Sequence, residues 1–184
     1  YPNGDYYKGE WRAAKRHGLG IYKLANGDVF EGQWKNDEMH GEGSYTFSNG
    51  EIYEGEVNKG KMEGRGSLTY TDGSVYEGEW ANDKPEGPGS LTYPSGTVLA
   101  GIWKMGRLTD GKATYYYPNG DYYEGGFRNN KRNGYGRMIY SRGDAYEGNW
   151  SNGRREGRGK MQFDSGVTYE GEWKIGKKSG EGTQ

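Results

Sequence analysis

The chain has no cysteine and only two histidines among its 184 residues. Disulfides and thiolate metal sites are therefore excluded. Apolar residues make up 30% of it. No apolar run approaches a membrane-spanning helix, and no signal peptide is read. A large aliphatic core cannot be assembled from this composition. Such scarcity of apolar residues often means disorder, yet 18 tyrosines and 6 tryptophans recur here at fixed phase. With 36 glycines beside them, the expected core is aromatic rings packed on glycine.

Charge is nearly balanced overall, at −1, but not locally. Residues 1–92 carry 10 Lys+Arg and 16 Asp+Glu, whereas residues 93–184 carry 15 and 10. An acidic end and a basic end are expected.

What is abundant is repetition. The stretch Asp72-Gly73-Ser74-Val75-Tyr76-Glu77-Gly78-Glu79-Trp80, followed by Gly87-Pro88-Gly89, occurs in eight versions. The turn glycines are Gly4, Gly27, Gly50, Gly73, Gly96, Gly120, Gly143 and Gly166, separated by 23 residues throughout except for one step of 24. A fixed short period marks a repeat array, here a single array over residues 1–184. The chain does not begin with Met; it opens inside the turn Tyr1-Pro2-Asn3-Gly4 and stops within a repeat. It is therefore expected to be a piece of a longer repeat protein.

Each repeat contains two short segments of alternating polarity, which read as β-strands. Turns such as Tyr117-Pro118-Asn119-Gly120 place Pro where φ must be near −65°, so a primed turn is impossible there. A type I turn closed by a glycine bulge is expected, with Tyr115 opposite Tyr123 and Ala113 opposite Gly125. The other loop, such as Ser151-Asn152-Gly153-Arg154, reads as a two-residue Asn-Gly hairpin. It would oppose Gly148 with Gly157 and Tyr146 with Gly159, and would pair Glu54 with Arg65 and Glu147 with Arg158. One sheet face then carries aromatics over glycines and the other carries charges. The predicted fold is all-β: a single-layer antiparallel meander of eight stacked 23-residue hairpins. At about 4.8 Å per strand, sixteen strands make a twisted rod of roughly 75–80 Å with an aromatic groove.

Tyr-Glu-Gly-Glu-Trp followed by Gly-x-Gly on this period resembles the MORN (membrane occupation and recognition nexus) repeat, over the whole chain. The chain departs from the motif at Val57 and Phe127, where Trp is absent. Repeat 5 departs more widely, with Leu99-Ala100-Gly101-Ile102-Trp103, one extra residue, and Gly111-Lys112-Ala113. A local change of twist is expected there, with a small apolar spot at Ala100 and Ile102. The resemblance implies a non-enzymatic scaffold that dimerises and holds protein partners, most like the cytoskeletal members of the family. It also implies a cytoplasmic location, cytoskeletal or peripheral at the inner face of a membrane. A phospholipid-binding tether and a targeting segment of a larger enzyme are the alternatives.

No catalytic pair stands out, and no cofactor is expected. His17 and His40 sit in equivalent loops about 10 Å apart, too far to share a metal ion. The Gly-x-Gly pairs lack the following helix of a phosphate loop. Three basic pairs share one loop phase: Lys131-Arg132, Arg154-Arg155 and Lys177-Lys178. They read as a solvated edge or as a ridge for anionic phospholipid or an acidic partner. The aromatic face reads as self-packing or as a partner groove, lined by Tyr53, Tyr76, Trp80, Tyr93, Trp103, Tyr115, Tyr123, Tyr146 and Trp150. Nucleic acid is not expected, because the rings would not be presented for stacking. Homodimerisation is expected through the C-terminal edge, at Tyr169, Trp173, Gly180 and Gly182.

Overall fold

A computed structural model describes residues 2–183. Every regular element in it is a β-strand, and the packing divides the chain into two compact units, Tyr1–Pro94 and Ser95–Gln184. The first unit holds β1 (Tyr6–Arg12), β2 (Lys15–Lys23), β3 (Val29–Lys35), β4 (Glu38–Thr46), β5 (Ile52–Asn58), β6 (Lys61–Thr69), β7 (Val75–Ala81) and β8 (Lys84–Thr92). The second holds β9 (Val98–Lys104), β10 (Arg107–Tyr116), β11 (Tyr122–Arg128), β12 (Lys131–Ile139), β13 (Ala145–Ser151), β14 (Arg154–Gln162), β15 (Thr168–Lys174) and β16 (Lys177–Thr183). Within each unit, successive strands pair antiparallel as a meander.

The glycine-bulge turn forms as the proline argument requires. The Tyr117 amide donates to the Asp121 carbonyl at 2.9 Å, and the Gly120 amide donates back to Tyr117 at 2.9 Å. Gly120 has φ +85°, a region open to glycine at little cost. Tyr115 faces Tyr123 and Ala113 faces Gly125, as expected.

The two-residue hairpin also forms, with Asn152 and Gly153 both at positive φ, but the register beyond it differs from expectation. Gly148 faces Gly159 and Tyr146 faces Met161, two residues further along β14. The cause is Gly157: at φ +66° it starts a bulge that takes up the extra residues. A shift by an even number keeps every side chain on its face. The charge pairs change accordingly: Arg65 faces Glu79 and Arg158 faces Glu172, whereas Glu54 faces Ser67 and Glu147 faces Lys160.

Repeat 5 breaks this pattern. Its bulge takes up one residue fewer than the others: Leu108 pairs with Trp103, Asp110 with Ile102 and Gly111 with Gly101, so the added length lies beyond Gly111. Gly111 therefore has no positive φ, and Leu99 faces Ala113. The expected apolar spot is present, with Ile102 half exposed and Ala100 partly so.

Candidate functional site

The core repeats one module. A tyrosine lies across a facing glycine pair and donates its hydroxyl to a carbonyl three residues on, as in Tyr53 to Glu56 at 2.7 Å and Tyr123 to Gly126 at 2.8 Å. A Cβ on Gly66 or Gly159 would run into the ring of Tyr53 or Tyr146. The tryptophan of the next repeat stands on that tyrosine edge to face. Tyr146 and Trp173 have centroids 5.3 Å apart at 81°, and the Trp173 indole N–H donates to the Gly159 carbonyl at 3.0 Å. Tyr53–Trp80 and Tyr123–Trp150 repeat the arrangement. Burial pushes the phenols of Tyr76, Tyr123 and Tyr146 up to about 12.

The proposed groove residues are thus mostly core. Tyr53, Tyr76, Tyr123 and Tyr146 are fully buried, and Trp80, Trp103 and Trp150 nearly so; only Tyr93 and Tyr115 are half-buried. What the aromatic side leaves at the surface includes one phase of the repeat, each residue half-buried: Leu24, Phe47, Tyr70 and Tyr93 in the first unit, and Tyr117, Tyr140 and Phe163 in the second. The row keeps the repeat's phase in the sequence, at the residue three before each turn glycine, but its residue type varies between Leu, Phe and Tyr.

The six basic loop residues do not share a surface, because neighbours on a strand point to opposite faces. Lys131, Arg154 and Lys177 are exposed. Arg132 and Arg155 fold over the rings, with guanidinium carbons 4.3 Å from the Trp150 centroid and 4.2 Å from that of Trp173. Each also donates to a carbonyl of the next hairpin tip, Gly153 at 2.8 Å and Gly176 at 2.7 Å. Lys178 lies over Tyr169 at 4.6 Å. The same position is Arg16, over Trp34 at 4.3 Å, then Met39, Met62, Pro85 and Leu108. At this place Arg16, Arg132 and Arg155 cap the next repeat's ring with a cation, whereas Met39, Met62, Pro85 and Leu108 put an apolar side chain there.

At the edge with the glycine-bulge turns, carboxylates clip one repeat to the next. Asp28 accepts from the Ser48 amide at 2.8 Å and Asp121 from the Ser141 amide at 2.9 Å. Those amides hold both carboxyls below the usual aspartate range. At the opposite edge Glu63 and Glu156 accept the amides of Asn82 and Ile175. His17 and His40 occupy that same phase; His40 is exposed, and the buried Nδ1 of His17 has no hydrogen-bond partner among the described residues. Among the described residues no group of three or more His, Asp or Glu side chains could hold a metal ion. No helix among them is long and apolar enough to cross a membrane.

Of the proposed dimer residues, Tyr169 and Trp173 are buried, and Gly182 lies under the Tyr169 ring. Gly180 takes the bulge conformation at φ +63°.

A run of identical hairpins held by rings that span from one repeat to the next defines a repeat scaffold. The chain belongs to the MORN repeat family: it matches the repeat at residues 7–29, 30–52, 53–75, 76–98, 100–122, 123–145, 146–168 and 169–184. Membership implies a scaffold for protein or membrane interaction. No curated protein matches the chain significantly. Among solved structures it is similar to the TCP domain of Drosophila melanogaster SAS-4 (dCPAP) in complex with a proline-rich motif of Ana2 (dSTIL). That match has 13% identity and a TM-score of 0.45, covering 89% of this chain and 94% of that one. It is also similar to the TCP10 domain of Danio rerio CPAP in complex with a STIL peptide. There identity is 14% and the TM-score 0.47, over 91% of this chain and 74% of that one.

Proposed function

We propose that this chain is a non-catalytic scaffold that binds protein partners, and itself, within a cytoskeletal or membrane-associated assembly. The observation that carries this reading is the half-buried row that includes Phe47, Tyr70, Tyr93, Tyr117 and Tyr140. Tyrosines dominate interface hot spots, and here they recur once per repeat within each unit. The buried rings beneath cannot be recruited without dismantling the repeats. As the targeting segment of a larger enzyme, the array would be the binding part in the same way. Photo-crosslinking residues at 70 or 93 should capture a protein partner, and one at Glu79, on the opposite face, should not. Capture from position 79 alone would overturn the reading.

Self-association through β16 would use its backbone edge, since Tyr169 and Trp173 are occupied internally. Light scattering should then show a dimer that persists in high salt; a dimer that salt dissolves would count against edge pairing. A second reading, adhesion to anionic phospholipid, draws on the exposed Lys131, Arg154 and Lys177. At about 1 kcal/mol per cation near an anionic surface, three give only weak binding. Pelleting with phosphatidylserine vesicles that disappears with added salt would favour it, and no pelleting at low salt would remove it.

A further inference from the structure

The two units differ in how the outer face is neutralised. In Ser95–Gln184 the row Glu124, Arg137, Glu147, Lys160, Glu170 alternates in sign across neighbouring strands. In Tyr1–Pro94 serines stand where the bases would be: Glu31 faces Ser44, Ser44 faces Glu54, Glu54 faces Ser67, and Ser67 faces Glu77. Glu31, Glu54 and Glu77 are exposed, and among the described residues none makes an ion pair. They recur every second strand, about 9.6 Å apart.

A second ladder has the opposite sign and the same step. Lys131, Arg154 and Lys177 occupy one phase of successive repeats, which Arg107 holds before them in the same unit and Lys61 and Lys84 hold in the first, so they too recur every second strand. They are exposed, and none makes an ion pair among the described residues. Their neighbours Arg132 and Arg155 are stacked on rings instead. In the first unit the corresponding tip position holds the acids Asp37 and Asp83 in two of four hairpins, beside Ala14 and Gly60, whereas in the second it holds Gly106, Asn130, Gly153 and Gly176. The units accordingly hold 10 Lys+Arg against 16 Asp+Glu, and 15 against 10.

We propose that two copies of this chain dock by laying the carboxylate ladder Glu31–Glu54–Glu77 of one against the cation ladder Lys131–Arg154–Lys177 of the other. Both ladders run on a common period, so a single registration sets Glu31, Glu54 and Glu77 against three successive cations. The contact is separate from backbone pairing at β16 and rests on the self-association part of the scaffold reading. Reciprocal exchange gives a closed dimer, and one-way exchange gives open chains. Exposed ion pairs are individually weak, so the contact must be salt-sensitive.

Sedimentation velocity of the full chain at about 50 mM and about 500 mM salt tests this. One variant carries Glu31→Lys, Glu54→Lys and Glu77→Lys; another carries Lys131→Glu, Arg154→Glu and Lys177→Glu. Each alone should associate roughly ten- to a hundred-fold more weakly than the unaltered chain at low salt. Mixed one to one, they should recover association, because every ladder again meets its opposite. Glutamine versions of all six positions, which change charge without reversing it, should weaken association less, and circular dichroism should show each variant folded. Association untouched by salt and by reversal means edge pairing alone and overturns the proposal. So does a chain that stays monomeric at low salt, even if it pellets with phosphatidylserine vesicles. Failure of the mixture to recover association also overturns it.

Discussion

A tyrosine lying flat on two glycines tolerates no side chain beneath it. Gly159 has ordinary backbone angles, so Gly159→Ala isolates the packing conflict with Tyr146 from backbone strain. It should destabilise by about 1–3 kcal/mol in urea unfolding, as overpacking does. Tyr146→Phe keeps the ring and loses only the hydroxyl bond to the Asn149 carbonyl, at 3.0 Å. It should cost less, about 0.5–1.5 kcal/mol; Phe30 already fills this position in its own repeat, fully buried. The phenol titration is a separate check. Folded values for Tyr76, Tyr123 and Tyr146 lie above the unfolded value of about 10. Their contribution to stability is therefore complete below about pH 10 and is lost as pH rises toward 12. Ultraviolet absorbance should show these phenols ionising together with alkaline unfolding, after the exposed tyrosines. The aromatic-on-glycine core was legible in the sequence because Tyr, Gly and Trp keep a spacing of two. Ring capping by Arg132 and Arg155 was not, because a loop motif of two adjacent bases does not say that the strand sends them to opposite faces.

The strands, the turns and the faces were readable because Pro118 and Gly120 leave one turn type open. The register beyond the Asn152-Gly153 hairpin was not readable. Gly157 fits both a plain strand and a bulge, and only its positive φ separates them. The same ambiguity hid the partners of Glu54 and Glu147. Neighbouring hairpins are joined by the carboxylate clips, and these titrate. Asp28 and Asp121 are held below their unfolded value by the Ser48 and Ser141 amides. Their stabilisation is full above the unfolded aspartate value of about 3.9 and is lost as pH falls through the lower folded value. Melting temperature should fall as pH drops below about 4. Asp28→Asn and Asp121→Asn should flatten that fall; an unchanged acid slope in the double variant would show that the clips do not couple the repeats.

At the scale of the whole molecule, one repeat serves two ends. Its inward residues hold the array together, and its outward residues vary from repeat to repeat, which is where partners can be distinguished. The family was legible from the motif. The half-buried row that includes Tyr70, Tyr93 and Tyr117 was not legible, because sequence periodicity marks regular positions without saying which are covered. The division of labour between buried and half-buried aromatics is the central claim, and one comparison tests it most directly. The chain carrying Tyr70→Ser, Tyr93→Ser and Tyr117→Ser is used beside the unaltered chain to capture protein partners from the same cell extract, with both shown folded by circular dichroism. The account predicts that the triple variant, with its buried rings intact, loses the partners that the unaltered chain retains. Recovery of the same partners in the same amounts would contradict it.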